Sequence, residues 1–171
     1  IIRYIRFRKG YNSSTPSQNG DSSSFYDQAA TSIIDHCSMS WAQDENGQVW
    51  GNSSGAHPHD LAYSWSIFAE PLSKHPTNFI TGANTSAASE NLINIDAHHN
   101  LFANSSYRNP LIKNKSFRLV NNIIYNWSTT NGNIISGATT FNPTVGSSGN
   151  YIFVVEDQST KCKTTDSVEV K

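Results

Sequence analysis

The feature that most constrains the fold is a recurring triplet: a small polar residue, any residue, then a large apolar residue. It occurs four times, each time after an apolar run: Cys37-Ser38-Met39, Ser66-Ile67-Phe68, Asn100-Leu101-Phe102 and Asn122-Ile123-Ile124. Successive closing residues are 29, 34 and 22 positions apart. A solenoid whose coils carry loops of different length produces such unequal spacing around a constant strand. The triplet therefore predicts stacked coils, with the polar residues in one column and the apolar residues in another.

Helical periodicity is nearly absent, and short β-branched and aromatic runs alternate with Gly, Ser and Asn turns. The stretch from Ile2 to Phe7 fits as an earlier coil that lacks the polar residue. An antiparallel sandwich is the alternative, since its strands also recur at short spacing. The repeated triplet favours the solenoid, so we predict an all-β chain in which residues 1–127 form a right-handed, single-stranded parallel β-helix.

The pattern changes after Trp127. Clean alternation over 133–137, 141–145, 151–155 and 167–170, with a turn signal at Gly149-Asn150, predicts antiparallel β-structure. The stretch from Trp127 to Ile134 and the Lys161-Cys162 pair resemble the end of an immunoglobulin-like or PKD-like repeat of bacterial surface proteins. We therefore expect a truncated β-helix over 1–127 and a partial β module over 128–171, loosely tied to it.

The bulk composition excludes several classes of partner. The net charge is −1, which provides no field to attract nucleic acid or an anionic membrane. No apolar run approaches the roughly 20 residues of a membrane span. Few residues are charged (15%) and Asn, Ser and Thr are abundant, as is typical of extracellular β-proteins. Because the chain starts within a strand pattern, we expect any export signal to lie upstream.

Cys37 and the Asp35-His36 pair are predicted to be structural. Cys37 lies in an apolar run and is expected to be a small buried core residue, unpaired with the distant Cys162. Asp35 and His36 precede it among apolar neighbours, where polar side chains more often satisfy core hydrogen bonds than perform chemistry.

Four stretches carry a resemblance to a known family: Ile2 to Arg8, Ile33 to Trp41, Trp65 to Glu70, and His98 to Phe102. In amino-acid sequence and in their order along the chain, they resemble strands of polysaccharide lyase family 1, the pectate lyases. The resemblance covers residues 1–127. It implies a pectin-lyase-like β-helix that cleaves 1,4-linked galacturonan by β-elimination.

The implied reaction removes the proton at C5, next to the C6 carboxylate, and expels the C4 oxygen. Such a carbon acid is too weak unless the carboxylate charge is neutralised, so calcium and cations are expected. Calcium takes several hard oxygen ligands, and the candidates are Asp21, Asp44 and Glu45. By resemblance Asp44 falls on a calcium-ligand position and Asp21 lies one residue from another, while Gln48 replaces a further ligand. The alternative is that Asp21 and Glu45 are solvated turn acids.

The candidate base is Arg108, which resembles the proton-abstracting arginine of the family pattern Arg-x-Pro-x-x-Arg. Free arginine is nearly always protonated, so this role requires clustered cations and calcium nearby. Lys113 stands at the second cation position, where it keeps the charge and loses the bidentate fork. His75 matches a family histidine, and Lys74 is expected to substitute for a family lysine whose position Thr77 occupies. Lys113, His75 and Lys74 are therefore the candidate substrate-binding residues.

Two functions remain open. The first is a secreted or cell-surface, calcium-dependent pectate lyase, monomeric and acting on an acidic polysaccharide. The second is a non-catalytic β-helix that binds uronic polysaccharide or forms part of an adhesin, since fold alone does not decide function. Arg108 with Lys113 favours the lyase, and Thr77 with Gln48 favours the binding protein.

Overall fold

The computed structural model describes residues 1–11, 20–52, 57–72, 75–105, 107–129, 134–136, 144–157 and 162–170. Its regular structure is almost entirely β. The first coils contain β1 (Ile2–Arg3), β2 (Arg6–Arg8), β3 (Ser24–Tyr26), β4 (Ala30–Asp35), β5 (Ser38–Ser40), β6 (Glu45–Gly51), β7 (His59–Ser64), β8 (Ile67–Ala69) and β9 (Thr77–Ala83). After the short helix α1 (Ser86–Glu90) come β10 (Ile93–His98), β11 (Leu101–Ala103), β12 (Leu111–Ile112), β13 (Phe117–Val120) and β14 (Ile123–Thr129).

Three parallel sheets take one strand from each coil. Sheet A has the order β1-β4-β7-β10-β13. Sheet B contains β2-β5-β8-β11-β14, and sheet C has the order β3-β6-β9-β12. Every pairing among these strands is parallel. The prediction of an all-β parallel β-helix is therefore confirmed.

The predicted polar column is a hydrogen-bonded ladder between coils. The amide of Cys37 donates to Ser66 Oγ at 3.0 Å, the amide of Ser66 to Asn100 Oδ1 at 2.9 Å, and the amide of Asn100 to Asn122 Oδ1 at 2.8 Å. The Ile5 amide lies 3.5 Å from Cys37 Sγ, which extends the column to the first coil. Since a buried N–H without a partner is costly, each small polar side chain fixes the coil before it.

The apolar members of the triplets form the core. Phe7, Met39, Phe68, Phe102 and Ile124 are paired in register across sheet B. The Phe68 and Phe102 rings stack with centroids 4.9 Å apart, and both side chains are fully buried. This column packs at van der Waals distance inside the solenoid, which is the dense packing that stabilises a protein interior.

Asp35 and Cys37 are buried residues that contribute to the stability of the fold. The Asp35 carboxylate is buried and accepts hydrogen bonds from Arg3 Nε at 2.7 Å and from Ser64 Oγ. Burial raises its pKa, but the hydrogen bonds from Ser64, His36 and Arg3 outweigh burial and hold the pKa below its usual value. Cys37 is buried, as expected, and forms no disulfide with Cys162.

The C-terminal strands are antiparallel; the first two form a separate sheet, and the last two continue sheet B. β15 (Ile134–Ser136) pairs with β16 (Thr144–Val145), and β17 (Gly149–Asp157) pairs with β18 (Lys163–Val170). β17 also pairs with β14 over seven residues, from Ile123 to Thr129. Instead of the loose attachment that we expected, the tail is bonded to the last coil, and the expected boundary at residue 127 lies inside β14. Its resemblance to a PKD-like module stays a prediction.

The single described helix, α1, has five residues. The described ranges hold no helix with the length and apolarity needed to cross a membrane.

Candidate active site

Site residues predicted from the sequence lie where the chain enters successive strands of sheet C. Asp44 immediately precedes β6, His75 lies two residues before β9, Arg108 three before β12, and Asp21 three before β3. Parallel strands stacked in register present corresponding ends at one edge of a sheet. Residues far apart in the chain are therefore neighbours at this edge, which we call the entry edge.

A buried amide ladder supports the entry edge. Asn46 Nδ2 donates to Asn78 Oδ1 at 2.8 Å, and Asn78 Nδ2 donates to Asn109 Oδ1 at 2.7 Å. The same amides also donate to the carbonyls of Ala69 and Ala103, both at 2.9 Å. Asn46 and Asn78 are fully buried, so every unmade bond would be penalised. The ladder holds the coils in register directly beneath the site.

Two carboxylates and an imidazole form the centre of the site. The candidate ligand atoms of Asp44, Glu45 and His75 all lie within 4.8 Å of one another. His75 Nδ1 is hydrogen-bonded to Asp44 Oδ1. Arg108 Nη1 donates to Glu45 Oε1 and lies 4.0 Å from Asp44 Oδ1. The guanidinium is thus the counter-charge of a Glu45 side chain that is only 4% exposed.

The two ends of the Arg108 guanidinium differ, since Nη1 donates to Glu45 and Nε has another environment. Its Nε is buried and has no hydrogen-bond partner among the residues that the structure describes. Its guanidinium carbon lies 5.3 Å from the ring centroid of Tyr107. Burial, followed by the charge of Asp44, raises the pKa of the Tyr107 phenol, which keeps it a neutral hydrogen-bond donor beside the arginine.

Asp21 lies beside the cluster and has a different environment. Its carboxylate accepts from the Glu45 amide at 3.1 Å and from the Gln48 side-chain amide. Burial, and next the negative charge of Asp44, raise the pKa of Asp21 to about 7. The sequence placed Asp21, Asp44 and Glu45 in one carboxylate group, and the structure brings all three together on the side of Arg108.

The donor chemistry of this group fits a divalent cation. Asp44 and Glu45 offer hard carboxylate oxygens, and His75 adds an imidazole nitrogen. The raised pKa of Asp21 indicates that another negative charge here is unfavourable without further positive charge. Asp44, Glu45 and His75 are the residues that would hold a cation, with Asp21 adjacent.

The predicted substrate-binding residues have different positions. Lys113 is exposed and its Nζ lies 5.0 Å above the ring centroid of Trp50. Thr77 is fully buried, and its Oγ1 donates to the Asp44 carbonyl at 3.1 Å, so it contributes to structure in place of the family lysine. Lys74 lies outside the described residues.

The sequence interpretation missed three aromatic residues of the site: Trp50, Tyr26 and Tyr107. Trp50 is paired in register with Tyr26 in sheet C. The strand period of two could have placed Trp50 on the face of Gln48, and Tyr107 directly precedes Arg108. The sequence does not show where β6 begins, so the period of two could not be used to assign Trp50 to a face of the strand.

The site opens into one groove of about 580 Å³, lined by Asp21, Tyr26, Asp44, Glu45, Gln48, Trp50, His75, Ile80, Asn84, Arg108, Leu111 and Lys113. Carboxylates and the Arg108 guanidinium lie at one end of the groove. Trp50, Tyr26 and Lys113 lie at the other. Such a groove can bind a long ligand that has both apolar faces and carboxylates, and can bring a cation or a base to one part of it.

Comparison with known proteins identifies distant fungal relatives. An Aspergillus flavus protein described as a probable pectate lyase C is 28% identical over 159 residues, which is 93% of this chain and 33% of the relative. The corresponding Aspergillus oryzae protein gives the same identity and coverage. One from Aspergillus terreus is 28% identical over 153 residues, 88% of this chain and 32% of the relative.

The chain spans about a third of the length of these curated relatives. No family model matches the chain, and no solved structure matches it significantly. The chain is thus a parallel β-helix that is similar, at low identity and over most of its own length, to fungal proteins described as probable pectate lyases.

Proposed function

We propose that the groove binds a 1,4-linked galacturonan and cleaves it by calcium-assisted β-elimination. The observation that carries the proposal is the placement of Arg108 against Asp44 and Glu45 at one end of a long groove. The fungal relatives described as probable pectate lyases support the substrate class. Asp44, Glu45 and His75 would hold the calcium ion, which would supply positive charge to neutralise carboxylates of the site and the substrate.

The chain's own residues have separate tasks in this reaction. Arg108 accepts the C5 proton, the electron pair left on C5 forms the C4–C5 double bond, and the C4–O bond breaks. The leaving oxygen takes a proton from solvent, so the products are an unsaturated uronide and a new chain end. Glu45 favours the charged guanidinium, so Arg108 has to leave Glu45 and release a proton to solvent before it can accept the C5 proton. His75 holds the Asp44 carboxylate in place.

Binding without cleavage is the second candidate. The contact of Arg108 with the buried Glu45 stabilises the protonated guanidinium, which binds carboxylates and is a poor base. Thr77 and Gln48, which replace a cation and an acid of the family pattern, favour the same function. In this case the groove would retain uronic polysaccharide at a cell surface. Either function places the protein outside the cell, where its polymer ligand is found.

The deciding experiment follows the ultraviolet absorbance of the unsaturated product with polygalacturonate, with calcium and with chelator. Activity that requires calcium and is lost in Arg108→Ala and Arg108→Lys supports the lyase, provided that circular dichroism shows folded variants. Activity retained in folded Arg108→Ala would place the base elsewhere. Binding of polygalacturonate without any product supports the non-catalytic function. If the protein neither binds nor cleaves polygalacturonate, both functions are refuted.

A further inference from the structure

The two cations that follow each other in the chain both extend back toward the same strand. Arg108 and Lys113 flank β12, and each contacts a residue of β6, two coils away in sheet C. Arg108 pairs with Glu45, the first residue of β6. Lys113 lies over Trp50, the next-to-last residue of β6. The two positive charges therefore lie near opposite ends of strand β6.

Lys113 crosses the intervening strand because that strand has a glycine at the crossing point. Its amide donates to the Thr81 carbonyl at 3.0 Å, which places Lys113 beside Gly82 of β9. A Cβ on Gly82 would lie 2.8 Å from Lys113 Cδ and 2.9 Å from its Cβ. Any side chain there would therefore displace the lysine near its root. Gly82 also has φ +157°, at the edge of the region that favours glycine.

Trp50 provides the end point of this crossing. Gly82 is paired in register with Trp50, so the lysine that passes over the glycine arrives at the indole. Its Nζ lies 5.0 Å from the ring centroid and 3.5 Å from the Ala83 carbonyl. An ammonium over an indole face is attracted by the ring quadrupole, which favours one position for an otherwise flexible side chain.

The two residues of β6 that the cations contact are further apart than the length of one sugar. From Glu45 to Trp50 the strand advances five residues, roughly 16 Å at about 3.3 Å per residue. The groove includes both ends of this distance. A carboxylate on Lys113 and a reacting sugar at Arg108 therefore belong to different units of one polymer.

We propose that Gly82 and Trp50 are positioning residues that hold Lys113 as a second carboxylate-binding point, which engages a uronate several units away from the sugar at Arg108. The inference rests on the acidic polysaccharide of the proposed function. The inference adds that the groove recognises the length of the polysaccharide. A uronate matches this end of the groove, since its carboxylate pairs with the ammonium and its apolar ring face suits Trp50 and the half-exposed Tyr26.

The position of Lys113 is tested without any substrate. In protein carrying ¹³C-lysine, the ring current of Trp50 should shift the Lys113 ε-methylene signal upfield, as assigned with Lys113→Arg. Gly82→Ala and Trp50→Leu should return the signal to the position of a free lysine, whereas Lys115→Arg, at an exposed lysine paired with Glu90, should leave it unchanged. An unshifted signal in the parent, or one that neither variant moves, would overturn the positioning.

Recognition of chain length is tested by calorimetry with galacturonate oligomers of increasing length. Lys113→Ala should weaken binding of long oligomers about tenfold, the loss expected for one charge-assisted contact, and leave galacturonate monomer unaffected. Gly82→Ala and Trp50→Leu should weaken the binding of long oligomers in the same way, and the affinity of Trp50→Phe should lie between those of the parent and Trp50→Leu. Gly82→Ala should not weaken the binding of long oligomers further in a Lys113→Ala background.

Equal losses for monomer and long oligomers, or additive effects of Gly82→Ala and Lys113→Ala, would refute the second binding point. Lys115→Ala should bind like the parent. If the parent binds no galacturonate of any length, the proposed function and the substrate of this site both fail. The lysine spectrum then still decides whether Gly82 and Trp50 position Lys113.

Discussion

Arg108 pairs with Glu45 across the coil that carries His75. The pair joins a half-buried cation to a carboxylate that is only 4% exposed. Removing one partner of such a pair is more harmful than removing both, because the remaining charge stays buried without compensation. The same carboxylate is a candidate metal ligand, so the ion pair and the cation site are coupled.

This coupling predicts the effect of calcium on a variant without the cation. Arg108→Ala should lower the free energy of unfolding by about 3 kcal/mol, because Glu45 is left without its partner. Calcium should then raise Tm more in Arg108→Ala than in the parent, since cation binding stabilises the folded state by mass action. Calorimetric scans with calcium and with chelator measure both effects.

The control is Arg118→Ala, which breaks the exposed pair with Asp96 and should change stability by about 1 kcal/mol or less. Arg108→Gln with Glu45→Gln should recover part of the lost stability. Equal calcium responses in Arg108→Ala and the parent would argue against cation binding at Glu45.

Asp21 predicts how stability depends on pH. Its pKa is raised from 3.8 to about 7 in the folded protein, so between these values the folded state binds more protons than the unfolded state. Stability should therefore decrease as pH rises from about 4 to about 7, and the contribution of this group should be lost above that range. Asp21→Asn should flatten the profile of urea midpoints over this range. A profile of equal slope in parent and variant would show that Asp21 titrates normally.

The amide ladder predicts a large effect of a buried asparagine. Asn78→Ala removes the bonds to Asn46, Asn109 and the Ala103 carbonyl, and each buried group left without a partner costs about 1–3 kcal/mol. Urea unfolding should show a loss of at least about 2 kcal/mol. Gln28→Ala removes an exposed amide and should stay within about 0.5 kcal/mol of the parent. A similar small change for Asn78→Ala would show that the ladder contributes little.

The polar column of sheet B predicts a smaller effect of a single hydroxyl. Ser66→Ala leaves the buried Cys37 amide without its acceptor, which should lower stability by about 1–3 kcal/mol. Ser24→Ala, at an exposed position, is the matched control and should be nearly neutral. Hydrogen exchange at the Cys37 amide should become faster in Ser66→Ala, and unchanged protection would contradict the ladder.

Local pattern was sufficient to predict the coils. The polar residue of each triplet has to satisfy an amide of the neighbouring coil and the apolar residue has to be buried, so Cys37, Ser66, Asn100 and Asn122 were predicted to form one column before their contacts were known. The alternation of apolar and polar residues after Trp127 predicted the antiparallel C-terminal strands. These features depend on residues close in sequence, and their physical requirements are the same in every coil.

Only the tertiary structure decided which side chains meet at the site. Loops of unequal length separate the coils, so the sequence does not specify which residue of β6 faces which residue of β12. The pairing of Arg108 with Glu45, and the crossing of Lys113 over Gly82 to Trp50, depend on the register of sheet C and on the reach of long side chains. The pairing of β17 with β14 was likewise undecided, since an exposed strand edge accepts any partner with free backbone groups.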